Sequence, residues 1–279
     1  MEITCWGSRG SISVSGSQTL KYGGDTTCIE ITAKSGETVI VDAGTGIRRL
    51  GESLLRRDIT QCHLLFTHAH WDHVLGFAFF RPLQFSRIKV VVQERDFSGL
   101  STRQMLDRVM QAPFFPVGLA DLAADITWDP GLTQGFSIGS LLVETIPTSH
   151  SGGGLGYKFT EGDRSFVFLT DNELGYDHPG GAGFDAYLDF CRDADILFHD
   201  GEYTADEYSG RVTWGHSSVP QLLDLALRAG VKKLGLFHIN QERTDDQMDQ
   251  IVAQCRADLK KTGSAMDCFA VACDLHLSL

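Results

Sequence analysis

The sequence contains a dense cluster of side chains that can bind metal ions. His68, His70, Asp72 and His73 lie within six residues, directly after a short apolar run at residues 64–66. Imidazole and carboxylate groups together suit zinc, manganese or iron, and this close spacing lets alternate residues point at two different centres. The cluster therefore predicts a metal centre at the end of a strand.

Four further apolar runs end in the same way as the run before His68. Each is rich in Val, Ile, Leu or Phe and has the length of a buried strand. The residues at their ends are Asp42, Asp171, His199 with Asp200, and His238. Because open sheets place their ligands where strand ends meet, these side chains are predicted to converge at one shared edge.

Helical patterns separate the strands. Apolar residues recur at helical spacing over residues 219–227 and stop at Gly230, which predicts a helix with a C-terminal glycine. Thr244 and Gln247 form a capping-box pattern before a second apolar stripe, and residues 103–110 suit a third helix. Strands that alternate with helices predict an α/β fold.

Composition limits the classes of protein to which the chain can belong. It has 36 acidic and 24 basic residues, a net charge of −12, and no basic stripe, so no long nucleic acid partner is expected. No apolar run approaches the roughly 18 residues of a membrane span, so no membrane partner is expected. The seven cysteines are scattered and the start lacks signal-peptide features, which predicts a cytoplasmic protein with reduced thiols. Without a linker or repeat, we expect a single domain over residues 1–279.

The chain resembles the metallo-β-lactamase-fold hydrolases, in particular their phosphodiesterase branch. The similarity lies in four stretches: residues 6–11, 22–28, 42–46 and 67–73. That branch includes cyclic nucleotide phosphodiesterase-like proteins, phosphoribosyl cyclic phosphodiesterases and the endonuclease that matures tRNA 3′ ends. The resemblance implies a four-layer αββα sandwich of two mixed β-sheets flanked by helices, with a site for two divalent metal ions.

The same resemblance implies which residues hold the metals. The first ion would be held by His68, His70 and His150, the second by Asp72, His73 and His238, with Asp171 bridging the two. Zinc is the expected metal, with manganese or iron as alternatives. Two cations roughly 3.5–4 Å apart would lower the pKa of a shared water toward about 7 and supply hydroxide, so hydrolysis is the expected reaction.

A second pair of residues distinguishes among hydrolases. Asp200 and His216 lie in stretches similar to phosphodiesterase motifs, in which an acidic residue orients a histidine that protonates the leaving oxygen. In the relatives that act on tRNA this acidic residue is glutamate, whereas Asp200 is shorter. The predicted catalytic residues are therefore Asp72, Asp200 and His216. Alternatively, His216 caps the following helix or binds a phosphate oxygen there.

Other residues near these motifs receive structural predictions. Asp42 is expected to order the metal-binding loop through hydrogen bonds, and Arg9 to contact a phosphate or to brace neighbouring loops. The aromatic residues after the cluster are expected to pack beneath the site: Trp71, Phe77, Phe79 and Phe80.

Together these features predict a dinuclear-metal phosphodiesterase of small, cyclic phosphodiesters. The alternatives are a hydrolase of another ester, a thioester or a lactone, a tRNA-processing endonuclease, and a catalytically idle metal-binding module. Residues 99–135 provide no basic arm for gripping RNA, so a small phosphodiester is the expected partner. The sequence leaves open whether the chain forms a homodimer.

Overall fold

A computed structural model describes residues 1–130 and 135–279. In these ranges the chain forms sixteen strands and seven α-helices. The strands are β1 (Glu2–Gly7), β2 (Cys28–Thr32), β3 (Thr38–Val41), β4 (Gln61–Leu65), β5 (Lys89–Gln93), β6 (Asp96–Phe97), β7 (Leu100–Ser101), β8 (Asp125–Asp129), β9 (Gly135–Ile138), β10 (Leu141–Pro147), β11 (Leu155–Glu161), β12 (Arg164–Leu169), β13 (Ile196–Asp200), β14 (Lys233–Phe237), β15 (Asp267–Ala270) and β16 (His276–Ser278). The helices are α1 (Ile47–Arg56), α2 (Trp71–Val74), α3 (Thr102–Val109), α4 (Phe184–Phe190), α5 (Ala205–Tyr208), α6 (Val219–Arg228) and α7 (Asp245–Thr262).

Fourteen of the strands form two mixed sheets of seven strands each. The first has the order β16-β1-β2-β3-β4-β5-β8, and the second has the order β15-β14-β13-β12-β11-β10-β9. In the first sheet the four neighbouring strands β3, β4, β5 and β8 are parallel, and in the second the four strands β12, β13, β14 and β15 are parallel. The strands β6 and β7 form a separate two-stranded sheet.

The side-chain alternation along the strands accounts for the layers. In β3, Val39 and Val41 belong to the core between the sheets, while Ile40 packs with α1 in an outer core. In β12, Phe166 lies in the middle core and Val167 lies in the outer core that α6 and α7 cover. Because both faces of each sheet are apolar, helices must cover the two outer faces. The predicted αββα sandwich is thereby confirmed.

The predicted helices are confirmed with their capping residues. α6 follows Ser218, which forms a capping box with Gln221, and α7 follows Thr244, which forms one with Gln247. α7 ends at Thr262 and is followed by Gly263, whose φ of 72° is the left-handed conformation that glycine adopts at a helix end. None of the helices among the described residues is both long and apolar enough to cross a bilayer.

The ends of the central strands meet at one edge of the sandwich, as predicted. Asp42 follows β3, Asp171 lies two residues after β12, and His238 follows β14. All three have a positive φ, of 66°, 51° and 55° respectively, which is costly for residues other than glycine. The chain therefore turns sharply where each strand ends, and backbone strain of this kind is typical of functional sites.

Candidate metal centre

The structure brings the seven predicted metal ligands together at this edge. Their ligand atoms form two groups, and within each group all atoms lie within 4.8 Å of one another. The first group is His68, His70, His150 and Asp171, and the second is Asp72, His73, Asp171 and His238. All except His70 are buried. Asp171 belongs to both groups, which is the position that a bridging ligand requires.

The spacing around Asp171 fits coordination better than direct hydrogen bonding. Oδ1 of Asp171 lies 3.3 Å from Nε2 of His73, and Oδ2 lies 3.4 Å from Nε2 of His238 and 3.5 Å from Nε2 of His68. Ligand atoms placed about 2.1 Å from a tetrahedral ion lie roughly 3.4 Å apart. Each of these separations between Asp171 and a histidine therefore suits two atoms that bind the same cation, His68 in the first group and His73 and His238 in the second.

Hydrogen bonds on the far side of three rings orient them toward the site. Each ring donates its Nδ1–H to a protein acceptor: His73 to Asp42 at 2.7 Å, His150 to the Gly215 carbonyl at 2.9 Å, and His238 to Glu202 at 2.9 Å. A neutral imidazole that is protonated at Nδ1 carries its lone pair on Nε2. The three Nε2 atoms are thus fixed as potential ligands.

The electrostatics of the buried groups also fit divalent cations. Among the described residues, Nε2 of His68 and Nε2 of His73 are buried without a hydrogen-bond partner, which costs about 1–3 kcal/mol for each group unless something pairs with it. Burial lowers the pKa of His68 well below its ordinary value, which keeps the ring neutral. Burial raises the pKa of Asp171, but the positive charges of the neighbouring His238 and His73 outweigh it and hold the carboxyl ionised. Burial lowers the pKa of those two rings, but the surrounding carboxylates raise it well above its ordinary value, so each ring must give up a proton when a cation takes its place. A neutral imidazole and an ionised carboxylate are the forms that bind metal.

The predicted pair of Asp200 and His216 is also in contact beside this cluster. Nδ1 of His216 lies 2.9 Å from Oδ2 of Asp200, so the shorter aspartate side chain reaches the ring. Burial lowers the pKa of His216, but the charge and hydrogen bond of Asp200 raise it to about 9. The ring stacks on His238 with 4.6 Å between centroids. Since Ser218 occupies the N-cap of α6, His216 does not cap that helix.

Glu202 is a buried site residue that the sequence analysis did not assign. Its Oε2 accepts the Nδ1–H of His238 and lies 3.5 Å from Nδ1 of His216, while its Oε1 accepts from Asn240 at 2.8 Å. The carboxylate therefore connects a candidate ligand to the candidate acid. Its place two residues after Asp200, at the end of β13, follows the same strand-end pattern as the assigned residues.

Glu173 is a second buried carboxylate that the sequence analysis missed. Oε1 accepts hydrogen bonds from the Tyr208 hydroxyl at 2.7 Å and the Thr213 N–H at 2.9 Å. Oε2 accepts from Nε2 of His178 at 2.8 Å and from the Gly215 N–H at 2.7 Å. One side chain thus holds the segment that precedes His216.

Gly215 shows why that segment must be held closely. Its φ is 90°, and a Cβ there would lie 2.1 Å from Nδ1 of His150, so a larger residue would collide with the ring. Its carbonyl orients His150 and its chain neighbour is His216. Through Gly215, Glu173 therefore positions both a candidate ligand and the candidate acid.

We expect Glu173→Gln to destabilise the fold, because one carboxylate oxygen becomes an amino group and two of the four donors lose their acceptor. At about 1–3 kcal/mol for each unpaired donor, the free energy of unfolding should fall by about 2–6 kcal/mol in urea denaturation. The matched control is Asp163→Asn, whose side chain is 92% exposed and whose effect should stay within about 0.5 kcal/mol. Equal stability of the two variants would show that Glu173 does not hold the segment.

The remaining predicted residues divide into structural and exposed groups. Arg9 is fully buried and donates to the carbonyls of Gly23, Asn240 and Arg243 at 2.8–3.1 Å, so it braces loops. Phe77 and Phe80 are buried as expected. The prediction that Trp71 and Phe79 pack beneath the site is wrong, because they are 77% and 57% exposed. Trp71 lies on the outward face of α2, and Phe79 lies at the end of the 3₁₀ turn that follows α2.

Two facing mixed sheets with a histidine and aspartate cluster at their edge define the metallo-β-lactamase fold, a class of metal-dependent hydrolases. A family model described as "Beta-lactamase superfamily domain" matches residues 37–239. The chain belongs to this family. The predicted resemblance is confirmed, and the fold implies that the hydrolase depends on divalent metal ions.

Individual relatives agree with the phosphodiesterase branch. The chain is 24% identical over 272 residues to ribonuclease Z of Haloarcula marismortui, and the alignment covers 80% of this chain and 83% of that protein. The structure of a diphosphatase from the PhnP family has a TM-score of 0.72 at 20% identity, covering 100% of this chain and 97% of the diphosphatase. The short form of human tRNase Z has a TM-score of 0.65 at 16% identity, covering 100% of this chain and 99% of the human chain.

These relatives correct the expectation that the chain has no long nucleic acid partner. That expectation rested on the net charge of −12 and on residues 99–135, of which 131–134 lie outside the described residues. It is wrong as an exclusion, because the chain is similar over most of its length to proteins named ribonuclease Z and tRNase Z. Net charge averages the whole surface, whereas a polyanion responds to the local field, which bound divalent ions make positive even in an acidic protein.

Proposed function

We propose that the chain is a phosphodiesterase with two divalent ions, in which His216 protonates the leaving alcohol. The observation that carries the proposal is the 2.9 Å contact between His216 and Asp200, directly beside the candidate ligands. The stacking of His216 on His238 places the acid next to the second group. Asp72, whose Oδ2 lies 3.3 Å from Nε2 of His73, completes that group.

The chain's own residues then carry the proton transfer. Phosphodiester hydrolysis breaks one P–O bond to an alcohol, forms a P–O bond to a water oxygen and delivers a proton to the departing oxygen. Divalent ions held by the two groups would supply hydroxide at neutral pH and neutralise the phosphate charge. Because Asp200 holds Nδ1, His216 gives its proton from Nε2 and regains one from solvent.

The same pair of residues argues against a lactone, thioester or β-lactam as the substrate. Hydrolysis of those compounds could use the same ions but would not need the Asp200 and His216 pair. An idle metal-binding module would be expected to lack at least one ligand, whereas all seven candidate residues belong to the two groups that could hold a metal ion, which supports an active enzyme. A phosphodiester with a poor alkoxide leaving group needs a proton donor, and His216 is positioned to be that donor.

RNA is a second candidate substrate within the same reaction class. It is favoured by the similarity to ribonuclease Z, which extends over 80% of the chain. An RNA phosphodiester has a ribose oxygen as its leaving group, so it needs the same acid as a small phosphodiester. The two candidates therefore differ in how the rest of the substrate is held, and not in the chemistry at phosphorus.

The proposed function is tested by a substrate screen. The metal-loaded protein should cleave a bis-aryl phosphate and at least one of a set of cyclic nucleotides and a precursor tRNA. A lactone and a cephalosporin serve as the comparison substrates and should be cleaved far more slowly. Faster turnover of the lactone or cephalosporin than of every phosphodiester would overturn the proposal.

Metal loading is expected to stabilise the fold, because seven ligands from separated parts of the chain converge on the site. The metal-free protein should take up about two equivalents of Zn²⁺ or Mn²⁺ per chain, as the two groups imply. At a free metal concentration of about 100 times Kd, each site should add about 2.7 kcal/mol, seen as a higher Tm.

The matched control for this measurement is His276→Ala, since His276 is exposed and remote from the cluster. This variant should bind the same amount of metal as the wild type, whereas His68→Ala should lose the first ion. A folded protein that takes up neither metal would contradict the two-ion proposal.

A further inference from the structure

A cleft of about 260 Å³ opens beside the candidate acid. His216 and Ser11 both line it, and the Ser11 N–H donates to Oδ2 of Asp72 at 2.8 Å, so the lining of the cleft contacts the candidate metal centre. It lies on the side of the site from which His216 acts. A group bound there would be attached to the oxygen that His216 protonates, which is the leaving group of the proposed reaction.

The cleft presents an exposed aromatic surface. Trp214 lines it and is 61% exposed, although large aromatic side chains are usually buried. The Arg211 guanidinium lies 5.9 Å from the Trp214 ring and 5.3 Å from the Tyr203 ring, and it donates to the Glu207 carbonyl at 3.0 Å. An indole supported in this way is a platform on which a flat heterocycle can stack.

The polar groups of the cleft suit a hydrogen-bond donor rather than a second anion. Gln241 lines the cleft, and within the described part of the chain its Oε1 is buried without a hydrogen-bond partner. The exposed carboxylate of Glu242 lies on the same cleft. Amide and carboxylate oxygens accept from the amino groups of bases and the hydroxyls of ribose, and the carboxylate repels a further phosphate.

We propose that this cleft binds the nucleoside of the leaving group, with its base stacked on Trp214. The assignment as leaving group rests on the proposed function, whereas the preference for a nucleoside rests on Trp214, Arg211 and Gln241. The volume is near the lower end of the roughly 300–1,000 Å³ of small-molecule sites, which suits one nucleoside. The substrate class is therefore a phosphodiester whose leaving oxygen belongs to a nucleoside.

Two substrates that differ in the leaving group alone test this assignment. Adenylyl-uridine releases adenosine, and the methyl ester of uridine 5′-phosphate releases methanol, while both leave uridine 5′-phosphate. Trp214→Ala should lower kcat/KM for the dinucleotide by roughly 5–150-fold, the worth of one base stack, and leave the methyl ester within about twofold. Trp214→Phe should retain most of the activity. The matched control is Phe114→Ala, an aromatic residue that is 84% exposed elsewhere and should affect neither substrate.

Adenosine binding provides a readout that does not depend on turnover. Calorimetry should show that adenosine binds the metal-loaded wild type and that Trp214→Ala weakens this binding by a similar factor. Cleavage of both diesters with no effect of Trp214→Ala on either substrate or on adenosine would overturn the cleft assignment and leave the proposed function intact. Adenosine binding that depends on Trp214, in a protein that cleaves neither diester and none of the phosphodiesters of the substrate screen, would support the cleft and overturn the phosphodiesterase.

Discussion

Replacing His216 with alanine is expected to slow hydrolysis of an alkyl phosphodiester by roughly 10²–10⁴-fold, the usual contribution of general acid catalysis. The reason is that an alkoxide is a poor leaving group and needs the proton that Asp200 helps His216 to hold, through a 2.9 Å hydrogen bond. A p-nitrophenyl ester of the same phosphate departs without that proton and should lose much less rate. Steady-state kinetics on the two esters measures the difference.

The controls for this prediction separate an acid from a binding residue. Asp200→Asn should show the same pattern more mildly, because it weakens the orientation of the ring without removing it. His276→Ala, an exposed histidine far from the site, should leave both esters unaffected. Equal losses on the two esters would mean that His216 binds substrate or supports the fold. Loss of metal from His216→Ala would instead mean that His216 is a ligand.

Much of the site was predictable because the fold concentrates strand ends at one edge. Asp42, Asp171 and His238 each follow an apolar run, and the periodicity of those runs marks them as strands. In a sheet with parallel strands, residues after consecutive strand ends are brought together whatever their separation in sequence. The same logic reaches Asp200, the last residue of β13.

The residues that were missed, or whose role was left open, depend on contacts between distant segments. Glu202 acts on His238, which lies 36 residues away, and Glu173 acts on Gly215, which lies 42 residues away. The strand-end pattern marks Glu202 as a candidate, but the spacing of a sequence does not identify the partner that a supporting carboxylate holds, so only the folded arrangement reveals its role. For Arg9 the sequence left two roles open, because an arginine in a glycine-rich loop could contact a phosphate or brace neighbouring loops. Its full burial favours the second role.

The exposure of Trp71 has a related cause. A tryptophan in a motif of metal ligands suggests packing, and the two residues that follow it, Asp72 and His73, are indeed buried. α2 is only four residues long, however, and directs these two side chains into the site while Trp71 faces outward. Apolar character predicts burial on average, but a short helix whose inner face is occupied by polar ligands leaves its aromatic residue in solvent.

The largest effect on metal binding is expected from Asp171→Ala. Because Asp171 belongs to both ligand groups, removing its carboxylate should weaken both ions and abolish hydrolysis. Asp72→Ala removes a ligand from the second group alone and should chiefly empty that site. Metal content after gel filtration, measured for both variants and for the exposed control Asp163→Ala, distinguishes the two cases.

The comparison is informative because the two aspartates are otherwise alike. Both are buried, and both have Oδ2 within 3.4 Å of Nε2 of His238. They differ in that Asp171 also approaches His68 at 3.5 Å and His150 at 3.8 Å, in the first group. If Asp72→Ala and Asp171→Ala lost the same ion to the same extent, the contacts to His68 and His150 would carry no ligand role. If Asp171 bridges the two ions, Asp171→Ala must weaken binding of the ion held by His68 and His150, whereas Asp72→Ala must leave that ion bound.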